Sequence, residues 1–88
     1  MLKIIKISSS WCPSCLIMNP RYKELIEQYS FELEEYDYDI DDEIVKKYNV
    51  GEILPVAIIV NNDKEVTRII GEKNKKELNK IIESINVK

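Results

Sequence analysis

The sequence predicts an α/β domain in which a four-stranded mixed sheet carries helices on both faces. Segments typical of strands alternate with segments of helical periodicity, giving the order β-α-β-α-β-β-α. A helix between two strands favours a parallel, right-handed crossover, whereas a short turn favours an antiparallel hairpin. The chain has 88 residues, of which 44% are hydrophobic, so we expect one domain over 1–88 with a small core.

The first strand, helix and second strand are predicted from local patterns. Residues 2–7, "LKIIKI", are rich in β-branched side chains and predict a strand. Pro20 is expected to kink the following helix without ending it, because the helical period resumes beyond it. Residues 31–40, "FELEEYDYDI", alternate and predict an edge strand, where charges discourage aggregation. The apolar positions of the helix after Cys15 are Met18, Tyr22, Leu25, Ile26 and Tyr29.

A short second helix and a third strand follow. Asp41 or Asp42 is expected to cap the helix, which presents Ile44, Val45 and Tyr48. Residues 50–54 predict a loop. Residues 55–60, "PVAIIV", are continuously apolar, as expected for a strand covered on both faces.

The chain is predicted to end in a hairpin strand and a helix. The turn "NNDK" should join the third strand to a fourth over 65–70, and Gly71 breaks that pattern. The last helix carries an apolar stripe with i, i+3, i+4, i+7 spacing. The residues of the stripe are Leu78, Ile81, Ile82 and Ile85.

Composition argues against several classes of function. Lysine and arginine total 13 against 16 acidic residues, and this balance does not favour a nucleic-acid partner. The absence of histidine removes the commonest general base and metal ligand. No apolar run is long enough to span a bilayer, and Lys6 interrupts the N-terminal run. We therefore expect a cytoplasmic protein without a membrane partner.

The two cysteines lie in "SSSWCPSC", at the predicted start of the first helix. Cys12 would face unpaired backbone N–H groups and the positive end of the helix dipole, which favour the reactive thiolate. Cys15 would lie one turn further on, within reach of a mixed disulfide on Cys12. Pro13 suits an early helical position, and Ser14 leaves room and offers a hydroxyl to Cys12.

Other interpretations of the polar motifs are weaker. Two buried structural thiols would be the simplest alternative for Cys12 and Cys15. A metal or cluster site needs about four ligands, which this chain offers only if two copies share them. The acidic residues 32–43 lack the glycine and glutamate positions of a calcium loop. We therefore expect no metal and no other cofactor.

The sequence resembles the thioredoxin-fold family, and in particular its small thioredoxin-like and glutaredoxin-like members. "WCPSC" after the first strand, Pro20, "LPV" containing Pro55, and Gly71 carry the resemblance, which covers essentially the whole chain. It implies a thioredoxin fold in which Cys12 is the exposed nucleophile and Cys15 the buried resolving thiol. A substrate groove would then be formed by Trp11, Pro13, Leu54 and the cis-proline Pro55.

The resemblance also implies the function of a thioredoxin-like protein disulfide reductase. Disulfide-containing proteins would be its substrates, and a thioredoxin-reductase-like enzyme or a small thiol would reduce it again after each cycle. We also expect the protein to be a monomer. A glutathione-dependent, glutaredoxin-like enzyme is the first alternative, although "ILPV" and "IIGEK" lack the usual glutathione clamps. A non-catalytic thioredoxin-fold binding or cluster module is the second.

Thioredoxins also carry a buried aspartate beneath the cysteines, paired with a lysine on the neighbouring strand. Here the corresponding positions are predicted to be Lys6 and Asp37, with the signs of the charges exchanged. Such a lysine would favour thiolate formation but could not serve as a carboxylate base. The alternative is that Lys6 extends to solvent at the end of the sheet.

Overall fold

Four strands form one mixed sheet with the order β2-β1-β3-β4. β1 pairs with β2 in parallel and with β3 antiparallel, and β3 pairs with β4 antiparallel. This computed structural model describes residues 2–86; residues 1, 87 and 88 of the predicted domain lie outside the described residues. The elements are β1 Leu2–Ser8, α1 Pro13–Tyr29, β2 Glu32–Asp37, α2 Asp42–Lys47, β3 Val56–Asn61, β4 Lys64–Ile70 and α3 Lys75–Asn86.

Helices cover both faces of this sheet, as predicted. α1 and α3 pack on one face, where the α3 residues Leu78 and Ile82 are buried against α1 and the sheet. On the other face, Ile44 and Val45 of α2 pack against β1 and β3. Residues 56–60 of β3 are buried throughout, which confirms the strand predicted from their continuous apolar run. Among the described residues, no helix is both long and apolar enough to cross a membrane.

α1 runs through Pro20 without ending there, which agrees with the apolar period on both sides of the proline. Pro13 takes a first-turn position, where a backbone N–H would have no intrahelical acceptor, so the proline loses no hydrogen bond. Ser30 ends the helix in the left-handed region, with φ of 58°. The buried face of α1 contains Cys15, Met18, Tyr22 and Leu25.

β2 is shorter than the predicted strand over 31–40, because aspartates turn the chain after Asp37. The Asp39 N–H donates to Asp37 Oδ1 over 2.8 Å, and the Asp41 N–H donates to the Asp37 carbonyl over 2.8 Å. Asp41 occupies the predicted N-cap position of α2. Its carboxylate, however, accepts the Asp37 N–H over 2.7 Å and makes no capping hydrogen bond.

The predicted hairpin and final helix have clear local causes. Asn62 and Asp63 both adopt positive φ, 52° and 68°, as a two-residue type I′ turn requires. At the start of α3, the Glu77 N–H donates to Asn74 Oδ1 over 2.8 Å, and the Asn74 N–H donates to Glu77 Oε1 over 3.5 Å. This reciprocal pair is a capping box that fixes where α3 begins.

The Tyr22 hydroxyl is buried in the α1–α3 side of the core with no hydrogen-bond partner among the described residues. An unsatisfied buried polar group costs about 1–3 kcal/mol. Tyr22→Phe keeps the ring, so we expect the free energy of unfolding in urea to rise by about 1 kcal/mol. Tyr29→Phe, at a half-buried position, is the control and should change it by less than about 0.5 kcal/mol. Destabilisation by Tyr22→Phe would show that the hydroxyl is satisfied.

Candidate active site

The cysteine pair lies at the junction between the loop after β1 and α1. Cys12 is the N-cap residue, with extended backbone angles φ −91° and ψ 113°. Its carbonyl accepts the backbone N–H of Cys15 over 3.2 Å and that of Leu16 over 3.4 Å. The helix therefore begins directly after Cys12, and Cys15 lies within its first turn. Pro13 contributes no N–H to this turn, and the Cys12 side chain makes no capping hydrogen bond.

Both thiols are buried, but to different degrees. Cys12 is 6% exposed and Cys15 is 1% exposed. The expectation that Cys12 is exposed is therefore wrong, although Cys12 is more exposed than Cys15, as expected. The cause is the loop before β3: the Cys12 Sγ–H donates to the Leu54 carbonyl over 3.6 Å. A substrate must displace or approach this contact to reach the sulfur.

The loop opposite the cysteines is fixed by Leu54 and Pro55, which are both buried and joined by a cis peptide bond. The Pro55 carbonyl accepts the Gly71 N–H over 2.9 Å, so the end of β4 supports this loop. Gly71 has φ of 79°, and an added Cβ would lie 3.3 Å from Ile53 Cγ2. A glycine therefore suits this close approach.

Trp11 flanks the cysteines and is 58% exposed, as expected of a ring beside the site. Its Nε1–H donates to Asp39 Oδ2 over 2.7 Å, and its backbone N–H donates to Ser9 Oγ over 3.2 Å. The ring also meets Tyr38 edge to face, with 6.5 Å between centroids. Sequence reasoning missed Asp39, because nothing local links a residue after β2 to Trp11, and it also missed Ser9, which lies two residues before Trp11.

The remaining predicted groove residues are brought to the same end of the sheet. Pro13 is exposed beside Cys12, and Ser14 is half-buried. Among the hydrogen bonds of the described residues, none joins Ser14 to Cys12, so the hydroxyl contact suggested for Ser14 is not formed. Two exposed apolar residues that the sequence analysis missed are the chain neighbours of Cys15 and Leu54, namely Leu16 and Ile53, at 68% and 64% exposure.

Lys6 does not pair with Asp37, and this prediction is wrong. The parallel register places Lys6 opposite Glu35 and Asp37 opposite Ser8. Lys6 Nζ instead lies 3.0 Å from Glu35 Oε1 and donates to Asn19 Oδ1 over 2.9 Å. Lys6 is only 6% exposed, so it does not extend freely to solvent either. A lysine on β1 therefore still pairs with an acidic residue on β2, as expected, but the acidic residue is Glu35 and not Asp37.

The surroundings of Cys15 oppose its ionisation. Burial and the hydrogen bond with Cys12 raise the pKa of Cys15 to about 11, while the backbone of Ser9 and the charge of Lys6 act in the opposite direction. Cys15 therefore stays protonated at neutral pH until it is used. In the part of the chain that the structure describes, no three metal-ligating side chains converge in a way that could hold a metal ion.

A dithiol at a helix N-terminus, facing a cis-proline across the end of a four-stranded mixed sheet, defines the site of a thioredoxin-fold thiol–disulfide oxidoreductase. The sequence model of the family described as Thioredoxin matches residues 1–84. The chain belongs to the thioredoxin family. The predicted fold and the predicted class of activity, a thioredoxin-like disulfide reductase, are thus confirmed.

Individual relatives agree with this assignment. The chain is 30% identical over 82 residues to an H-type thioredoxin of Fagopyrum esculentum, covering 91% of this chain and 69% of that protein. It is 29% identical over 86 residues to thioredoxin H2 of Arabidopsis thaliana, covering 96% of this chain and 62% of the relative. The crystal structure of a thioredoxin from Nicotiana alata superimposes with a TM-score of 0.84 at 26% identity, covering 94% of this chain and 71% of that one.

Proposed function

We propose that this chain reduces protein disulfides with Cys12 as the attacking thiol and Cys15 as the resolving thiol. The observation that carries these roles is the position of Cys12 at the N-cap of α1, with the more deeply buried Cys15 behind it in the same turn. The N-cap lies at the positive end of the helix dipole, which favours an anion there, whereas burial holds Cys15 protonated.

In the first step the Cys12 thiolate attacks one sulfur of the substrate disulfide. A bond forms between Cys12 and that sulfur, the substrate disulfide breaks, and the other substrate sulfur leaves as a thiolate that takes a proton from solvent. The Sγ–H contact from Cys12 to the Leu54 carbonyl must be given up in this step. That carbonyl then becomes free to accept a substrate N–H, which supports a role for Leu54 in pairing with the substrate backbone.

In the second step Cys15 loses its proton to solvent and attacks the Cys12 sulfur of the mixed disulfide. The Cys12–Cys15 bond forms, the second substrate sulfur leaves as a thiolate, and two electrons have passed to the substrate. We assign the groove around this site to Trp11, Pro13, Leu54 and Pro55. Trp11 and Pro13 are exposed beside Cys12 and suited to contact a substrate, while Leu54 and Pro55 form the buried wall.

Two electrons must then return to the chain. A thioredoxin-reductase-like enzyme or a small thiol is the proposed donor, and disulfide-containing proteins are the proposed substrates. The cycle requires a reducing compartment, so we assign it to the cytoplasm, where thiols are kept reduced. We further propose that the chain acts as a monomer, because each step uses groups of one chain only.

The reduction potential of the Cys12–Cys15 couple tests this function. The chain is equilibrated in graded thiol–disulfide buffers, and Trp11 fluorescence and the mass after alkylation are measured. We expect a potential of about −270 mV and reduction of a disulfide-containing protein. A value of about −200 mV with turnover that requires glutathione would instead favour the glutaredoxin-like alternative. Failure to form an intramolecular disulfide at any buffer potential would overturn the function.

A further inference from the structure

Lys6 is a buried charged residue in the floor of the site. Among the described residues, Lys6 and Ser9 are the buried polar ones, and Lys6 is the charged member of the two. Its side chain is 7% exposed, so its ammonium has lost most of its contact with water. A buried charge is costly unless hydrogen bonds and an opposite charge compensate it. A buried lysine whose charge reaches Cys15 therefore calls for a chemical explanation.

Two side chains hold the ammonium of Lys6 in place. Asn19 Oδ1 accepts its hydrogen bond over 2.9 Å, and Glu35 Oε1 lies 3.0 Å away. Asn19 follows Cys15 by four residues on α1, so both side chains lie on the same face of the helix. Asn19 thereby fixes the charge of Lys6 next to the turn that carries Cys15.

A cleft of about 630 Å³ opens beside this ammonium, between α1 and the edge strand β2. Asn19, Lys23 and Glu27 of α1 line it together with Lys6 of β1 and Glu35 of β2. Glu35 is 58% exposed at this cleft, whereas the side chain of Lys6 is 7% exposed. The cysteines, by contrast, pack with the apolar residues of β1 and β3 and with Leu54. Lys6 thus lines a cleft that is part polar and part apolar, while the two cysteines lie in an apolar cluster.

We propose that Lys6 is a positioning residue for the resolving step, in which its ammonium stabilises the Cys15 thiolate while Asn19 and Glu35 hold it in place. The inference rests on the proposed roles of the two cysteines. Glu35 has a second effect, because its negative charge offsets part of the field of Lys6. Removing the charge of Glu35 should therefore strengthen the action of Lys6 on Cys15, provided that Asn19 still holds the ammonium.

The balance of charges around Cys15 changes when a substrate is bound. In the free dithiol, the hydrogen bond and charge of Cys12 help to raise the pKa of Cys15, and Lys6 lowers it. Once the Cys12 sulfur is in a mixed disulfide, it carries neither a proton nor a charge. Burial then opposes the Cys15 thiolate, and Lys6 remains as the charged group favouring it. The other charges at the cleft are Glu35, Lys23 and Glu27, whereas Leu54 and the neighbouring β3 residues are apolar.

The atoms of the assisted step balance without a proton from Lys6. Cys15 loses its proton to a solvent base, the thiolate attacks the Cys12 sulfur, and the substrate sulfur leaves with the electron pair. The substrate thiolate then takes a proton from solvent. Lys6 stays protonated throughout and acts through its charge.

The rate of closure of the Cys12–Cys15 disulfide tests the proposal. Reduced protein is mixed with 5,5′-dithiobis(2-nitrobenzoate); the first absorbing thiolate reports attack by Cys12, and the second reports closure by Cys15. For Lys6→Met we expect the pH profile of closure to move to higher pH by about one unit, the lower end of the effect of a nearby opposite charge, and closure at pH 7 to slow about threefold. A rise of about one unit in the pKa of Cys15 lowers the fraction of its thiolate at pH 7 about tenfold. The more basic thiolate is about threefold more nucleophilic, which offsets part of this loss in the rate of closure.

Three further variants separate charge from structure. Glu35→Gln, at a half-exposed position, should move the closure profile to lower pH, and Lys6→Arg should restore most of the rate. Lys3→Met is the matched control, because Lys3 also lies on β1 and forms a cross-strand pair, at 2.7 Å from Glu34. It should leave closure unchanged, because Lys3 lies opposite Glu32 and Val60, at the end of β1 that is far from the loop carrying the cysteines.

The outcomes distinguish this inference from the proposed function. If wild-type protein releases the second thiolate but Lys6→Met and Glu35→Gln leave its pH profile unmoved, the role of Lys6 is overturned and the cysteine roles stand. If the two variants shift the profile in the same direction, the charge argument is likewise overturned. If wild-type protein never releases the second thiolate, the proposed function itself fails.

Discussion

Cys15→Ser is expected to convert the short-lived mixed disulfide into a stable covalent complex. Cys12 keeps its place at the N-cap of α1, so attack on a substrate disulfide still proceeds. A serine hydroxyl does not carry out thiol–disulfide exchange, so the Cys12–substrate bond persists. Multiple turnover of a disulfide protein should fall by at least about a thousandfold, because the two groups act as a unit. Non-reducing mass analysis of the reaction should show one substrate chain bound per protein.

Cys12→Ser is the matched control for this experiment. The remaining thiol, Cys15, is 1% exposed and its pKa is raised to about 11, so it should form no adduct with a protein disulfide on the same timescale. Both variants replace sulfur with oxygen at neighbouring buried positions and so disturb the packing to a similar extent. An adduct on Cys15 in the Cys12→Ser protein, formed as fast as on Cys12 in the other variant, would reverse the assigned roles.

The parts of the fold set by local periodicity were predictable from the sequence. The stripe of Leu78 and Ile82 defines the buried face of α3 without reference to any other segment. The continuous apolar run of β3 likewise reflects burial on both faces of a central strand. The Asn-Asp pair at 62 and 63 supplies the positive φ values that its turn requires. In each case one short segment holds the whole physical cause.

The errors come from contacts whose partners are far apart in the chain. The partner of Lys6 depends on the register between β1 and β2, and a shift of two residues exchanges Asp37 for Glu35. The early end of β2 depends on which backbone N–H groups the carboxylates of Asp37 and Asp41 accept. Charged and alternating residues were compatible with either outcome, so the sequence pattern could not decide between them.

The chemistry of the site was predictable, but its burial was not. Two cysteines and a tryptophan lie within five residues, so the type of reaction could be predicted from one short segment. The contact from Cys12 to the Leu54 carbonyl joins residues 42 apart, and that from Trp11 to Asp39 joins residues 28 apart. Only the folded chain brings these groups together. The first contact helps to bury Cys12, and the second holds Trp11 beside it.

Ile82→Ala should remove a large part of the stability of the domain. Ile82 is 0% exposed, and it packs among buried residues of α1, β1, β3 and β4. Truncating such a side chain costs about 2–5 kcal/mol, through lost burial and the cavity left behind. Domains of this size have roughly 5–15 kcal/mol in total. For a loss of about 3 kcal/mol, we expect the melting temperature to fall by about 12–24 °C, measured by circular dichroism on the reduced protein.

Two further substitutions grade this effect. Ile82→Val removes one methylene and should cost about 0.5–1.5 kcal/mol. Ile85→Ala removes a half-buried side chain of the same helix and should cost less than Ile82→Ala. Equal losses at the two positions would contradict the burial assigned to Ile82. Such a result would mean that α3 packs with a different face against the sheet.

The Ile82→Ala protein also tests whether stability and redox chemistry are separable in this fold. Ile82 belongs to the core between α1, α3 and the sheet, whereas Cys12 and Cys15 pack in the cluster on the α2 side. Below its melting temperature, the variant should therefore keep the wild-type reduction potential within about 10 mV, which corresponds to roughly 0.5 kcal/mol for a two-electron couple. A larger shift would show that packing beneath α3 is transmitted along α1 to the dithiol at its N-terminus.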